Sequence, residues 1–118
     1  MTPAEFDKLV DSAMTVIPVR FRRKLTNVAF IVEAEPARPG LLGLYQGRPL
    51  PRRSVADSFT LPDRITLYQG PHERLARNRQ DLVRLVRETI WHEVAHYFGM
   101  DERQVRLAEL RRKRRNPR

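Results

Sequence analysis

One short stretch, residues 92–102, constrains this chain of 118 residues more than any other. It reads H-E-x-x-H-x-x-G-x-x-E and contains His92, Glu93 and His96. Residues four apart lie one turn above each other on the same face of an α-helix, so the two histidines can offer imidazole nitrogens to one metal ion. Glu93 borders the same site, where its carboxylate can take a proton from an attacking water and return it to a leaving amine. The stretch therefore predicts a catalytic metal site on a helix.

The residues that follow this helix favour a third ligand. Gly99 is the residue type expected just past a helix end, because the chain turns there through a left-handed conformation. Such a turn can bring Glu102 back towards the histidines, although the adjacent Asp101 could compete for that position. Two histidines, one carboxylate and a fourth position open to water form the catalytic rather than the structural arrangement of zinc. The alternative is a buried helix with two hydrogen-bonded core histidines and Glu93 in a salt bridge.

These residues resemble a known family, the small bacterial zincin-like metallopeptidases sometimes called mini-zincins. The resemblance extends to residues 61–71, 42–47 and 27–33, and it covers the chain from about residue 3 to residue 110. It implies a single zincin-like domain, one catalytic Zn²⁺ per chain on the two motif histidines, and Glu93 as the general base. The last motif position of that family is usually Asp, so Glu102 departs from the pattern.

The rest of the sequence predicts a strand region between helices. A capping box with Pro3 opens an N-terminal helix that ends at Pro18. Residues 28–33 form an apolar run that predicts a strand inside the sheet, whereas residues 64–68 alternate like a half-exposed strand. Residues 41–46 can add a short strand. We therefore expect an α+β fold, in which a short mixed sheet packs on the N-terminal helix and on the buried H-E-x-x-H helix.

The strand at residues 64–68 bears on substrate binding. In zincin-like folds the strand before the active-site helix lies at the sheet edge beside the metal, where an extended peptide can add through backbone hydrogen bonds. Tyr68 carries a phenol that could polarise a substrate carbonyl, although a packed tyrosine is the commoner role. His72 is expected to be an exposed loop residue, because it has no fixed spacing to the motif.

Two helices are predicted in the C-terminal part. Residues 80–98 have apolar side chains on both sides of a helix, so this helix should be buried, as a helix carrying a metal site must be. Asp101 and Gln104 form a second capping box that starts a last helix. We assign residues 1–110 to one domain and residues 111–118 to a basic, disordered tail.

The net charge of +9 is concentrated at the C-terminus. Residues 103–118 contain eight basic residues and one acidic residue, a balance of +7, which leaves +2 for residues 1–102. This nearly neutral body argues against nucleic acid as the main partner and leaves Arg111–Arg118 as the segment suited to it. The chain has no cysteine, which excludes disulfides and thiolate metal sites. No apolar run is long enough for a membrane helix and no signal peptide is present, so we expect a cytoplasmic protein.

The leading hypothesis is a zinc-dependent metallopeptidase that acts on a peptide or protein substrate. It would hydrolyse peptide bonds with a zinc-activated water and with Glu93 as the general base. The alternative is a catalytically inactive zincin scaffold that acts as a binding module and contacts nucleic acid through its basic tail. Such a small domain could also form a homodimer to bury more surface.

Overall fold

The computed structural model describes residues 1–47 and 62–115, and for Glu109 and residues 112–115 it describes the backbone alone. The described part forms an α+β fold with a three-stranded mixed sheet, which confirms the predicted class. No helix in these residues is both long and apolar enough to span a membrane. In chain order the elements are α1 Pro3–Ala13, a 3-10 turn Met14–Val16, α2 Val19–Arg22, β1 Val28–Glu33, β2 Gly43–Gln46, β3 Asp63–Tyr68, α3 Gln69–Leu75, α4 Arg79–Tyr97 and α5 Glu102–Arg115.

Helix α1 begins at the predicted capping box. The Thr2 hydroxyl accepts a hydrogen bond from the Glu5 N–H at 3.1 Å, and the Glu5 carboxylate accepts one from the Thr2 N–H at 2.9 Å. Pro3 occupies the first helical turn, where its missing N–H costs nothing. The helix then buries one apolar stripe in the core, formed by Phe6, Leu9, Val10 and Ala13.

The sheet has the strand order β1-β3-β2, with β1 parallel and β2 antiparallel to β3. Strand β3 is therefore central and mostly buried, and β1 is an outer strand of partly buried residues. Both sequence-based placements were wrong, since β1 was expected inside the sheet and β3 at its edge. Periodicity along one strand reports which side chains face the core. It does not encode which distant strands supply the hydrogen-bond partners, and those partners fix the strand order.

Helix α4 is the long buried helix that the sequence predicts. Asn78 caps it by accepting a hydrogen bond from the Asp81 N–H at 2.8 Å. Its core side packs against α1 and the sheet through Leu82, Val86, Ile90 and Val94. In its last turns the helix lines a cleft with His92, Glu93 and His96. The helix that bears the motif is thus anchored by apolar packing along most of its length, which restricts the rotamers of the side chains it presents.

The structure differs from the sequence-based expectation at His72 and at the C-terminus. His72 lies on α3 and is fully buried, not exposed in a loop. Burial is tolerated because both ring nitrogens have partners. Helix α5 continues past residue 110 to Arg115, so helical backbone extends into the segment that was expected to be disordered. The end of the predicted tail, residues 116–118, lies outside the described residues.

Candidate active site

The end of α4 returns the chain towards the motif histidines. Gly99 adopts a φ of 85°, a left-handed conformation that strains any residue with a Cβ. Its N–H donates to the His96 carbonyl at 2.9 Å, and the Met100 N–H donates to the Ala95 carbonyl at 3.1 Å. These two bonds make a Schellman motif, which ends the helix and reverses the chain. As a result α5 begins beside the last turns of α4, and Glu102 lies opposite the histidines.

Glu102, His92 and His96 converge on one point. One carboxylate oxygen of Glu102, Oε1, is 3.0 Å from His92 Nε2 and 2.9 Å from His96 Nε2. The three candidate ligand atoms all lie within 4.8 Å of one another. Zinc–ligand distances of about 2.0–2.2 Å place tetrahedral ligand atoms roughly 3.3–3.6 Å apart. A small movement of the exposed Glu102 side chain therefore brings this set to the dimensions of a zinc site.

The orientation of His96 suits a metal ligand. Its Nδ1 lies 3.0 Å from the Met100 carbonyl, which can only accept a hydrogen bond, so Nδ1 carries the proton. In the neutral ring Nε2 then presents a lone pair towards the Glu102 carboxylate at 2.9 Å. This 2.9 Å separation is that of a hydrogen bond, and a small increase brings both atoms to the spacing of two zinc ligands. The backbone carbonyl thus fixes both the tautomer and the ring plane, as outer-shell partners do in zinc sites.

Asp101, the competing carboxylate, has a different role. Its Oδ1 accepts a hydrogen bond from the Gln104 N–H at 2.8 Å, and the Gln104 side chain accepts one from the Asp101 N–H at 2.8 Å. This is the predicted capping box, and it confirms the start of α5. Within the described residues, the group that could hold a metal ion contains Glu102 and not Asp101.

Glu93 is buried beside the histidines, with 7 % of its surface exposed. Its burial raises the pKa of the carboxyl group. Electrostatic attraction to the His92 and His96 rings and a hydrogen bond from the Tyr45 backbone N–H partly oppose this increase. A carboxyl group with a raised pKa is suited to exchange a proton near neutral pH. Glu93 therefore lies beside the candidate ligand set without belonging to it.

Strand β2 lies directly on α4 at the level of Glu93. A Cβ added at Gly43 would be 2.6 Å from Thr89 Cγ2, and 3.2 Å from both Glu93 Cγ and the Thr66 carbonyl oxygen. Only glycine allows this approach without displacement. Strand β2 thereby forms one wall of a cleft of about 790 Å³, and α4 lines it with both motif histidines. The apolar part of the cleft lining consists of Leu41, Leu42, Leu44, Leu85 and Met100.

The chain is similar to known proteins both in sequence and in fold. Residues 25–112 match the family of zincin-like metallopeptidases. The chain belongs to this family. It is also similar to a solved structure, a conserved hypothetical protein from Thermus thermophilus, with 30% sequence identity and a TM-score of 0.55 over 83% of this chain and 94% of that chain. No curated protein matches this sequence.

Tyr68 is the one predicted site residue that the zincin-like fold does not bring to the cleft. It is 6 % exposed and is absent from the described residues that line the cleft. Tyr68 is kept from the cleft by the strand order, because β2 is the outer strand on that side of the central strand β3. The Tyr68 carbonyl accepts a hydrogen bond from His72 Nδ1 at 2.7 Å. The structure thus places Tyr68 in a packing position.

Sequence reasoning missed three residues that shape this zincin site, namely Gly43, Tyr45 and Thr89. An isolated glycine within a strand pattern is a recognised sign of close backbone approach, so Gly43 could have been found. Thr89 precedes Glu93 by one helical turn, and that spacing places it on the same face. The contact of Tyr45 with Glu93 is made by a backbone N–H. Every residue except proline has this group, so the sequence carries no signal for it.

Proposed function

We propose that this chain is a zinc-dependent peptidase that hydrolyses peptide bonds in a peptide or protein substrate. The observation that carries the proposal is the convergence of His92, His96 and Glu102 beside the buried carboxylate of Glu93. These four groups line one open cleft. A ligand set of two histidines and one carboxylate, with the fourth position left open, is that of catalytic zinc.

The residues present fit one Zn²⁺. His92 and His96 would hold it through Nε2, and Glu102 through its carboxylate, because these atoms already face each other. When bound, the ion acts as a Lewis acid, which polarises a substrate carbonyl and lowers the pKa of water. The Met100 carbonyl keeps the His96 ring oriented, and the Schellman turn keeps Glu102 within reach.

Glu93 is the proposed general base. Its carboxylate accepts a proton as water attacks the peptide carbonyl, and it then delivers that proton to the leaving nitrogen. The Tyr45 N–H and the surrounding burial hold the carboxylate in one position. A positioned general base contributes about 10²–10⁴-fold in rate, so the loss of this group alone should remove most of the activity.

The open edge of β2 is suited to bind an extended substrate. The Leu42 carbonyl accepts a hydrogen bond from the Tyr68 N–H at 3.0 Å. In an antiparallel ladder successive residues alternate, so the backbone groups of Gly43 and Tyr45 point away from β3. The contact of the Tyr45 N–H with Glu93 agrees with this orientation. A peptide that adds to β2 would therefore lie along the active site.

The test combines metal analysis with peptide cleavage by the wild type and by Glu93→Gln. We expect stoichiometric zinc in both proteins and cleavage in the wild type alone. Glu33→Gln is a matched control, because Glu33 is an exposed carboxylate at the far strand β1 that pairs with Arg64 at 3.8 Å. This variant should retain cleavage. Equal cleavage by the wild type and Glu93→Gln would contradict the mechanism.

Three sequence-based expectations stay predictions. Contact with nucleic acid through Arg111–Arg118 depends on side chains that lie mostly outside the described residues. Deleting residues 111–118 and measuring nucleic-acid binding at several salt concentrations tests this contact, because phosphate binding weakens steeply with salt. Homodimer formation is tested by the mass of the protein in solution, and the cytoplasmic location by fractionation of cells.

A further inference from the structure

The charged residues that line the cleft include one cation whose role is not yet assigned. Among the described lining residues, Arg38 is the one arginine or lysine. It is exposed, and it forms no ion pair with another described residue. A guanidinium group is always charged at physiological pH and binds carboxylates in a bidentate geometry.

The acidic residues of the cleft lining already have partners or roles. Glu88 pairs with the Arg84 side chain at 2.9 Å. Asp101 caps α5, and Glu93 and Glu102 belong to the proposed catalytic site. Among the described charges of the cleft, Arg38 is thus the group free to meet a charge brought by the substrate.

The position of Arg38 along the cleft follows from the direction of β2. Gly43 lies against Thr89 and Glu93, and the ring of Tyr45 makes an edge contact with the ring of Tyr97 at a centroid distance of 6.2 Å. Strand β2 therefore runs in the same direction as α4. The cleft lining includes residues just before β2 together with Leu85 and Glu88 of the earlier turns of α4. From the direction of β2 we infer that Arg38 is at the cleft end away from Glu102.

We propose that Arg38 binds a substrate carboxylate on the C-terminal side of the scissile bond. This inference rests on the proposed peptidase function. A peptide that pairs antiparallel with β2, the slightly more stable arrangement, directs its C-terminal part towards the start of that strand. Its carboxylate then meets Arg38. The apolar lining on the way, which includes Leu41 and Leu85, accommodates apolar side chains next to that carboxylate.

A binding measurement tests this contact without requiring turnover. The probes are two acetylated hexapeptides of alanine and leucine, one with a free C-terminal carboxylate and one with a C-terminal amide. Calorimetry with zinc-loaded Glu93→Gln protein should show tighter binding of the carboxylate peptide. Adding Arg38→Ala should weaken binding of that peptide by roughly five- to tenfold, the range expected for a charge-assisted pair in a solvated cleft. Binding of the amide peptide should not change.

Two further variants sharpen this measurement. Arg38→Lys keeps the charge but loses the bidentate geometry, so we expect an intermediate affinity. Arg87→Ala is the matched control, because Arg87 is an exposed arginine of α4 outside the cleft lining. It should leave both affinities unchanged. Equal affinities of the two peptides for Glu93→Gln protein would rule out the terminal carboxylate as the group that Arg38 binds. An equal loss of affinity for both peptides in Arg38→Ala would overturn the proposal.

The carboxylate can belong to the chain end or to an acidic side chain, and cleavage mapping separates these sources. Wild-type enzyme is incubated with peptides of increasing length, and the products are identified by mass spectrometry. Cuts at a constant distance from a free C-terminus support recognition of the terminal carboxylate. Cuts at a constant distance before an internal Glu in amidated peptides support recognition of a side chain. Cuts that follow neither carboxylate overturn the role of Arg38 but leave the peptidase in place. The absence of cleavage in every peptide contradicts the peptidase itself.

Discussion

Gly43 of β2 lies so close to Glu93 of α4 that a single added methyl group would be 3.2 Å from the Glu93 Cγ atom. The backbone N–H of Tyr45, two residues further along the strand, donates to the Glu93 carboxylate. One edge strand thus sets the position of the proposed general base from two directions. It also presents the backbone edge along which a substrate would lie. Changes in β2 should therefore alter catalysis even though the strand supplies no catalytic side chain.

Gly43→Ala tests this relationship. The new Cβ would lie 2.6 Å from Thr89 Cγ2, so the Thr89 side chain, β2 or α4 must move. Overpacking of this kind costs about 1–3 kcal/mol. We expect a lower free energy of unfolding in urea and a reduced kcat for peptide cleavage, because Glu93 shifts.

Thr89→Ser provides the control for that experiment, because it removes the Cγ2 methyl group and keeps the hydroxyl. The double variant Gly43→Ala, Thr89→Ser should recover part of the stability and activity that Gly43→Ala loses. A double-mutant cycle with a coupling free energy of about 0.5–3 kcal/mol would show that the two sites interact directly. Strictly additive effects would contradict the contact.

The roles of Glu102 and Asp101 can be separated by substitution. Glu102→Ala removes a proposed ligand, so zinc affinity should fall at least about 100-fold, since even partners outside the ligand set contribute about 10–100-fold. Asp101→Ala removes the N-cap of α5 and should lower stability by about 1 kcal/mol while zinc affinity stays within a few-fold. Competition with a chromogenic chelator measures affinity, and urea denaturation measures stability. If Asp101→Ala caused the larger loss of zinc, the assignment of the third ligand would be wrong.

The features that the sequence predicted correctly are encoded over short distances. The capping pairs Thr2–Glu5 and Asp101–Gln104 each lie within one helical turn, and both are present. The buried helix α4 follows from its own apolar pattern, and the turn at Gly99 follows from the residue type. Local propensity and tertiary structure agree in these segments, so local reasoning succeeds.

The features that were missed depend on contacts between distant segments. His72 is buried because Thr89, 17 residues away, supplies a hydrogen-bond partner for its Nε2. Tyr68 is kept from the cleft because β2 and not β3 is the outer strand beside it. Neither the burial of His72 nor the position of Tyr68 can be predicted from the spacing of nearby residues. The sequence could not decide between Glu102 and Asp101 for the same reason. It predicts a turn at Gly99, but the path of the chain after that turn depends on tertiary contacts.

Zinc should stabilise the folded protein, since the three candidate ligands come together only after α5 has folded back on α4. At a free zinc concentration 100 times the dissociation constant, the free energy of unfolding increases by about 2.7 kcal/mol. Thermal unfolding in zinc and in chelator measures it as a difference in Tm. His96→Ala is the control, and the zinc-dependent shift should shrink sharply in this variant. An equal shift in the wild type and in His96→Ala would place the zinc elsewhere.

His72 should make stability depend on pH. Burial lowers the pKa of this histidine, and the hydrogen bond to the Tyr68 carbonyl opposes that effect only in part. In the unfolded chain its pKa is about 6.5, so the unfolded state takes up a proton before the folded state does. The contribution of His72 to the free energy of unfolding is thus fully present above about pH 6.5. It falls as the pH decreases below that value, with a limiting slope of about 1.4 kcal/mol per pH unit.

The measurement is the free energy of unfolding between pH 7.5 and pH 5 for the wild type and for His72→Gln, both in chelator. His92 and His96 are present in both proteins, so their contribution cancels in the comparison. The ring of His72 contacts Phe6 and the Thr89 hydroxyl in the described structure, and no carboxylate is among these contacts that could stabilise a charged imidazole. His72→Gln should therefore be less stable than the wild type at pH 7.5, because it loses this packing. The difference should narrow towards pH 5. A constant difference across the range would mean that His72 is as easily protonated in the folded state as in the unfolded chain.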